Sequence, residues 1–305
     1  MAKSKVYFTK EISPEPLVRV FDALGTPLGD KVAIKVSTGE AGNPHYLQAA
    51  LIKDLVKKVN GTIVECNTAY EGARNQTDIH MTTAKEHGFT TIAGVDIMDA
   101  DGEIEIPVKD GQHLAVDIIG KNFANYDSMI NLAHFKGHQM AGFGGVLKNQ
   151  AIGIASAVGK VYIHTASKSQ DLDKFLHAFD TPENMAEMIP SQDDFLEAMA
   201  EAATAVADYM VTNRRPVVYI NIMNNLSIDC DCAGDPEAPC MQDIGIAASL
   251  DPVALDAACL DMVYNSTDPG RDHFVERVEQ QNGRHIIDAA EKLGLGSKDY
   301  ELIEL

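Results

Sequence analysis

Three histidines and three lysines crowd one stretch of this chain, HFKGHQMAGFGGVLKNQAIGIASAVGKVYIH, from His134 to His164. Imidazoles bind metals and move protons near neutral pH. Ammonium groups hold anions. The glycines between them let a backbone approach a ligand closely. Gly142, Gly144 and Gly145 are expected to form a turn that holds a cofactor or anion, with Lys148 and Asn149 on the first helical turn beyond it. A helix start there would offer its N–H groups to the anion. The phosphate-loop pattern G-x-x-x-x-G-K-[S/T] is absent, so this is not a standard nucleotide loop. GFGG alone is equally readable as a tight turn. His134, His138, Lys148 and His164 around it raise the functional reading above that of isolated surface histidines.

A second constellation lies in DCDCAGDPEAPC. Cys230, Cys232 and Cys240 fall within eleven residues. Thiolates suit zinc or an iron–sulfur cluster. The C-x-C-x7-C spacing matches neither a zinc ribbon nor a bacterial ferredoxin run. Asp229, Asp231, Asp235, Glu237 and Asp243 accompany the thiols. Carboxylates raise thiol pKa values unless a cation relieves them. The expectation is a metal site, against an acidic turn with incidental thiols. Cys66 could supply a further ligand, and Cys259 reads as core.

These residues need a scaffold. KVYFTKE and KVAIKVST read as strands, with a proline-started helix between them. The 44–59 run is amphipathic and closed by Asn60-Gly61. TIVECNT is the next strand, and the loop after it carries Tyr70 and Arg74. This β-α-β order predicts parallel strands with crossover helices. A helix from Thr77 and a strand near residue 95 follow, then a β-rich insertion over EIEIPV and LAVDIIG. SMINLAH leads into the histidine stretch. Helices are predicted over 193–211, 253–264 and 271–294, strands over 215–226, IGIAAS and YELIEL; 167–190 is weakly patterned. The fold class is α/β, with parallel or mixed sheets and flanking helices. Two lobes around a cleft are expected, about 1–165 and 166–305, within one domain. The strand ends CNT, LAH and NNL should converge there, as ligand sites in α/β sheets do.

The length of 305 residues and 45% apolar content allow a substantial core. A net charge of −20 argues against nucleic acid and anionic membranes as partners. No signal peptide or membrane-length apolar run is visible, so a cytoplasmic chain without a disulfide framework is expected.

Taken together, HFKGHQMAGFGGVLKN, the GK...H after it, CNTAYEGARNQTDIH and CDC...DIGIAASLDPVALDAACLD resemble an uncharacterised Fe–S centre protein family, a domain of unknown function. The resemblance covers nearly the whole chain. Many members carry an insertion with two four-cysteine runs after the GK...H segment. Residues 166–192 here contain no cysteine, which excludes two ferredoxin clusters. A shorter stretch is similar to the nickel-pincer lactate racemases. The resemblance implies a catalytic role for His138, a cofactor-carrying Lys148 and nickel at His164. The racemases' other catalytic histidine has no match; Tyr70 or Arg74 lies at that place.

The reading is thus a metal- or metallocofactor-dependent enzyme acting on a small anionic substrate, with redox or isomerase chemistry. His138, Lys148, His164 and Arg74 would be catalytic, with Arg74 clamping a carboxylate or phosphate. Cys230, Cys232, Cys240, His134, His138 and His164 would bind a metal ion or Fe–S cluster. One alternative is a non-enzymatic metal or cluster carrier with a redox partner protein. Another is a small-anion-binding protein.

Overall fold

A computed structural model describes residues 3–305. The chain enters through β1 (Ser4–Thr9), α1 (Pro14–Ala23) and β2 (Val32–Lys35). α2 (Ala49–Val59) begins five residues later than the amphipathic run. The cause is tertiary: Asn43 donates to the carbonyls of Cys230 (3.3 Å) and Ala233 (2.8 Å), tying the preceding segment to the cysteine loop. α2 ends where Asn60 turns left-handed, φ 49°. β3 (Thr62–Glu65), α3 (Thr77–Glu86) and β4 (Val95–Ile97) continue the alternation. β5 (Glu103–Pro107) and β6 (Val116–Gly120) form a separate antiparallel ribbon.

β7 (Ser128–His134) is buried at all seven positions. Its chain does not turn straight into a helix. Lys136–His138 (β8) and Gly142–Gly144 (β9) first form a small antiparallel hairpin. The glycine stretch is therefore the second arm of a hairpin. α4 (Val146–Ile154) and α5 (Ala157–His164) follow. The weakly patterned segment folds into two short helices, α6 (Leu172–Leu176) and α7 (Pro182–Met188). Then come α8 (Gln192–Thr212), β10 (Val217–Met223), β11 (Gly245–Ser249) and α9 (Pro252–Tyr264). α10 (Arg271–Gln280), α11 (His285–Lys292) and β12 (Tyr300–Glu304) complete the chain.

The main sheet has eight strands in the order β12-β1-β11-β10-β7-β2-β3-β4, so strands from both halves of the chain share it. It is mainly parallel; β11 alone runs antiparallel, to both β1 and β10. Alternate side chains of the central strands face opposite layers. Ile130, Leu132, Val218 and Ile220 pack with Leu17, Ile52 and Leu55 of α1 and α2. Ala133, Tyr219 and Met223 pack with α4, α8 and α9 residues such as Leu147, Met199 and Leu260. Two polar strand residues fasten the second layer. Asn131 donates to the Val146 carbonyl (2.8 Å), and Asn221 to Asp256 of α9 (2.7 Å). No helix among the described residues is long and apolar enough to cross a membrane.

Candidate functional site

The carboxyl ends of β2, β3 and β7 open into one cavity of about 340 Å³. That is the edge where open α/β sheets place ligands. Its wall carries five cationic side chains, Lys35, Arg74, Lys136, Lys148 and Lys160. His134, His138, His164, Cys230 and Cys232 line the same space.

The cysteine loop is pinned there by the residue between its two thiols. Asp231 is buried and turned away from them. One oxygen faces His134 Nδ1 at 2.7 Å and the other accepts from Lys136 Nζ at 2.8 Å. Burial works against its charge, yet Lys136 and His134 hold its carboxyl below the usual range. Gly137 lies between Lys136 and His138 because a side chain there would strike the Ile228 backbone at 2.5 Å. Its N–H donates to the Ser227 carbonyl at 2.8 Å. Strand and hairpin thus bring His138 against the loop.

His138, Cys230 and Cys232 offer donor atoms that all lie within 4.8 Å of one another. The Cys232 thiol and the nearby Lys148 and His138 push the Cys230 thiol well below its ordinary range; burial opposes them. Cys232 moves the opposite way, because it shares its proton with Cys230 and is buried. Of the two, Cys230 is the thiol more ready to ionise. The Cys232 N–H also points at Cys230 Sγ, at 3.4 Å.

The histidines differ in what they offer. His138 Nδ1 accepts the N–H groups of Met140 (3.1 Å) and Ala141 (3.0 Å). A neutral ring then carries its proton on Nε2. Burial, then the charge of Lys148, lowers its pKa. A metal-binding imidazole has the reverse arrangement, donating its second N–H outward. His138 therefore suits proton transfer to or from the thiol pair better than ligation. His164 Nδ1 donates to the Lys160 carbonyl at 2.7 Å, leaving the Nε2 lone pair free. Burial lowers its pKa to about 3, and the ring stacks on Phe195 with Phe175 nearby. That is the ligand-competent tautomer. His134 has no nitrogen left, since Nε2 faces the Asn224 carbonyl at 2.6 Å.

Other expected site residues are placed as follows. Cys240 stays outside the cavity, its thiol donating to the Leu226 carbonyl at 3.3 Å. Cys66 lines the cavity but donates to the Ile154 carbonyl at 3.3 Å, and burial raises its pKa. Arg74 is engaged internally, by Tyr70 OH (2.8 Å), Glu40 (3.4 Å) and Glu65 (3.5 Å). Gly144, Gly145, Lys148 and Asn149 line the cavity, and Gly142 lies behind it against Gly283. Asn149 is bonded to Asn131 (2.7 Å) and the Lys35 carbonyl (3.1 Å). The first N–H groups of α4, from Val146 and Leu147, donate to Asp256 at 3.0 Å each. An internal carboxylate thus occupies the place expected for an external anion.

Sequence reasoning missed Lys35, Lys136 and Lys160. The signal for Lys35 was available: it interrupts the apolar run of a central strand. Glu65 receives it at 3.6 Å, with Thr38 (2.6 Å) and His80 (2.7 Å). Burial lowers the Lys35 pKa to about 8, against the pull of Glu65.

Residues 32–261 match the sequence profile of a domain of unknown function, DUF362. No curated protein matches the chain. Among solved structures it is similar to the lactate racemase apoprotein from Thermoanaerobacterium thermosaccharolyticum. Identity is 16% over 71% of this chain and 50% of that one, with a TM-score of 0.40. It is also similar to a structural-genomics protein from Thermotoga maritima, at 10% identity over 92% of this chain and 58% of that one, TM-score 0.41. The chain spans half the length of the first of these proteins and 58% of the second.

Proposed function

The chain belongs to the DUF362 family, and on that premise we propose that it is an enzyme acting on a small anionic substrate at a thiophilic metal centre. The observation that carries this reading is the Cys230–Cys232 thiol pair with His138 beside it, their donor atoms within 4.8 Å of one another, inside a cavity walled by lysines. Two adjacent thiols with a ready thiolate fit a soft cation, which would also relieve the burial of their charge. His164 lines the same cavity with an open Nε2 and would offer a further imidazole donor there. Lys148, whose charge acts on both Cys230 and His138, fits the anchoring role that the racemase resemblance implies.

A bound soft metal would supply Lewis-acid or redox chemistry. The chain's own groups do the rest. His138 Nε2 holds a proton at the thiol pair and can deliver or take one there. Lys136, fixed by Asp231, keeps positive charge beside the thiolate. Phe175 and Phe195 pack against the His164 ring.

The test separates ligand from acid–base group. Metal content is measured on Cys230→Ser and His138→Gln after dialysis. Cys230→Ser is expected to lose the metal and His138→Gln to keep it. Equal retention in both would sink this assignment.

A further inference from the structure

Each cation in the cavity wall needs an accountable counter-charge, because a buried ammonium left alone is costly. Arg74 has Glu40 and Glu65. Lys35 has Glu65 at 3.6 Å and Lys136 has Asp231 at 2.8 Å. Lys148, only partly buried, has no carboxylate within 4.0 Å among the described residues, but its charge acts on Cys230 and His138. Lys160 differs. It is 6% exposed and lines the cavity. Among the described residues its Nζ has a single hydrogen bond, to the Ala155 carbonyl at 2.6 Å, and no carboxylate within 4.0 Å. An ammonium has three N–H groups, so two remain unused.

The neighbouring carboxyl is not a substitute. Asp117 is fully buried, and neither of its oxygens has a partner. Burial raises its pKa to about 8, so it is mostly uncharged at neutral pH. The position of Lys160 is also enforced. Gly159 brings α5 so close to β6 that a Cβ there would lie 1.9 Å from the Ile118 carbonyl oxygen. The fold therefore holds an unneutralised ammonium at the cavity wall, on the same helix as His164.

We infer that Lys160 is the anion-holding residue of this cavity: it takes the carboxylate or phosphate oxygen of the substrate while the rest of that molecule extends toward Cys230 and His138. This deepens the reading of the cavity as an anion-substrate site and rests on it. It also moves the anion clamp from Arg74, whose donors are spent on the protein, to α5.

The experiment follows thermal unfolding of the purified protein with acetate, inorganic phosphate or the uncharged analogue acetamide. Acetate or phosphate should raise the melting temperature in a concentration-dependent way, and acetamide should not. The larger response tells a carboxylate site from a phosphate site. In Lys160→Met the anion response should disappear, while the variant without anion melts no lower than the parent, since an unpaired buried charge has been removed. Arg74→Lys should keep the anion response. Three results would overturn the inference: no anion response in the parent, an undiminished response in Lys160→Met, or a variant several degrees less stable, which would mean Lys160 is paired within the protein. None of these readouts needs turnover or metal, so a Lys160-dependent anion response in a protein that neither holds nor takes up metal would sink the metal reading alone.

Discussion

A histidine's use depends on which nitrogen keeps its proton, and here the hydrogen-bond partners set opposite tautomers at two neighbouring sites. Backbone N–H groups at His138 Nδ1 send the proton to Nε2, whereas the Lys160 carbonyl at His164 Nδ1 leaves Nε2 bare. The first ring can serve the thiols as a donor; the second can accept a metal. Cys230 gains from this. A thiolate held by a neighbouring thiol, Lys148 and His138 should react with iodoacetamide at a pH where free thiols do not. In protein stripped of metal by acid or chelator, Cys230 is expected to be the first site alkylated, with a reactivity midpoint below the usual thiol range. Cys240, half-buried with a raised pKa, should lag. Peptide mapping after timed alkylation checks this. Labelling of Cys240 ahead of Cys230 would contradict the electrostatic account.

At the scale of elements, the α5–β6 contact carries most of the positioning on one side of the cavity. Gly159→Ala would press a methyl group onto the Ile118 carbonyl. Overpacking of this kind costs about 1–3 kcal/mol. The variant should melt several degrees lower and lose any Lys160-dependent anion response, and an unchanged melting temperature would show that α5 can move away freely. The same contact holds Asp117, whose pKa rises from 3.8 to about 8 on burial. A carboxyl with a higher folded than unfolded pKa binds its proton more tightly in the native state. Its contribution to stability is therefore full below pH 4 and falls as pH rises through about 8. Asp117→Asn should melt higher than the parent at pH 9, by on the order of a few kcal/mol in stability, and the gap should close toward pH 5. A gap that is absent or widens on acidification would contradict it.

Across the whole molecule, the elements were legible and their meeting was not. β7 and β10 announce themselves as apolar runs, and Asp251-Pro252 marks the start of α9, with the Asp251 side chain capping Val253 and Ala254. Local pattern and tertiary packing agree at these places. The small hairpin was not legible, because HFKGHQMAGFGG reads as one glycine-rich turn until Lys136–His138 pairs with Gly142–Gly144. Cys240 lies close to Cys232 in sequence, yet the Leu226 carbonyl draws its N–H and thiol away. Arg74 offered a free clamp on paper and is consumed by Glu40, Glu65 and Tyr70. His138 and Cys230 are distant in sequence. They meet because β7 and β10 are parallel neighbours, with His134 opposite Ile222. Partners chosen by strand order leave no mark in local spacing.

That strand order makes the thiol pair the centre of the account, and metal analysis of the protein purified without oxygen tests it most directly. The predicted result is about one equivalent of a thiophilic transition metal that survives dialysis and is released by acid as the thiolate and imidazole donors take up protons. A protein that holds no such metal under those conditions, and takes none up when it is offered, would contradict the metal centre and leave the cavity as an anion site with an activated thiol.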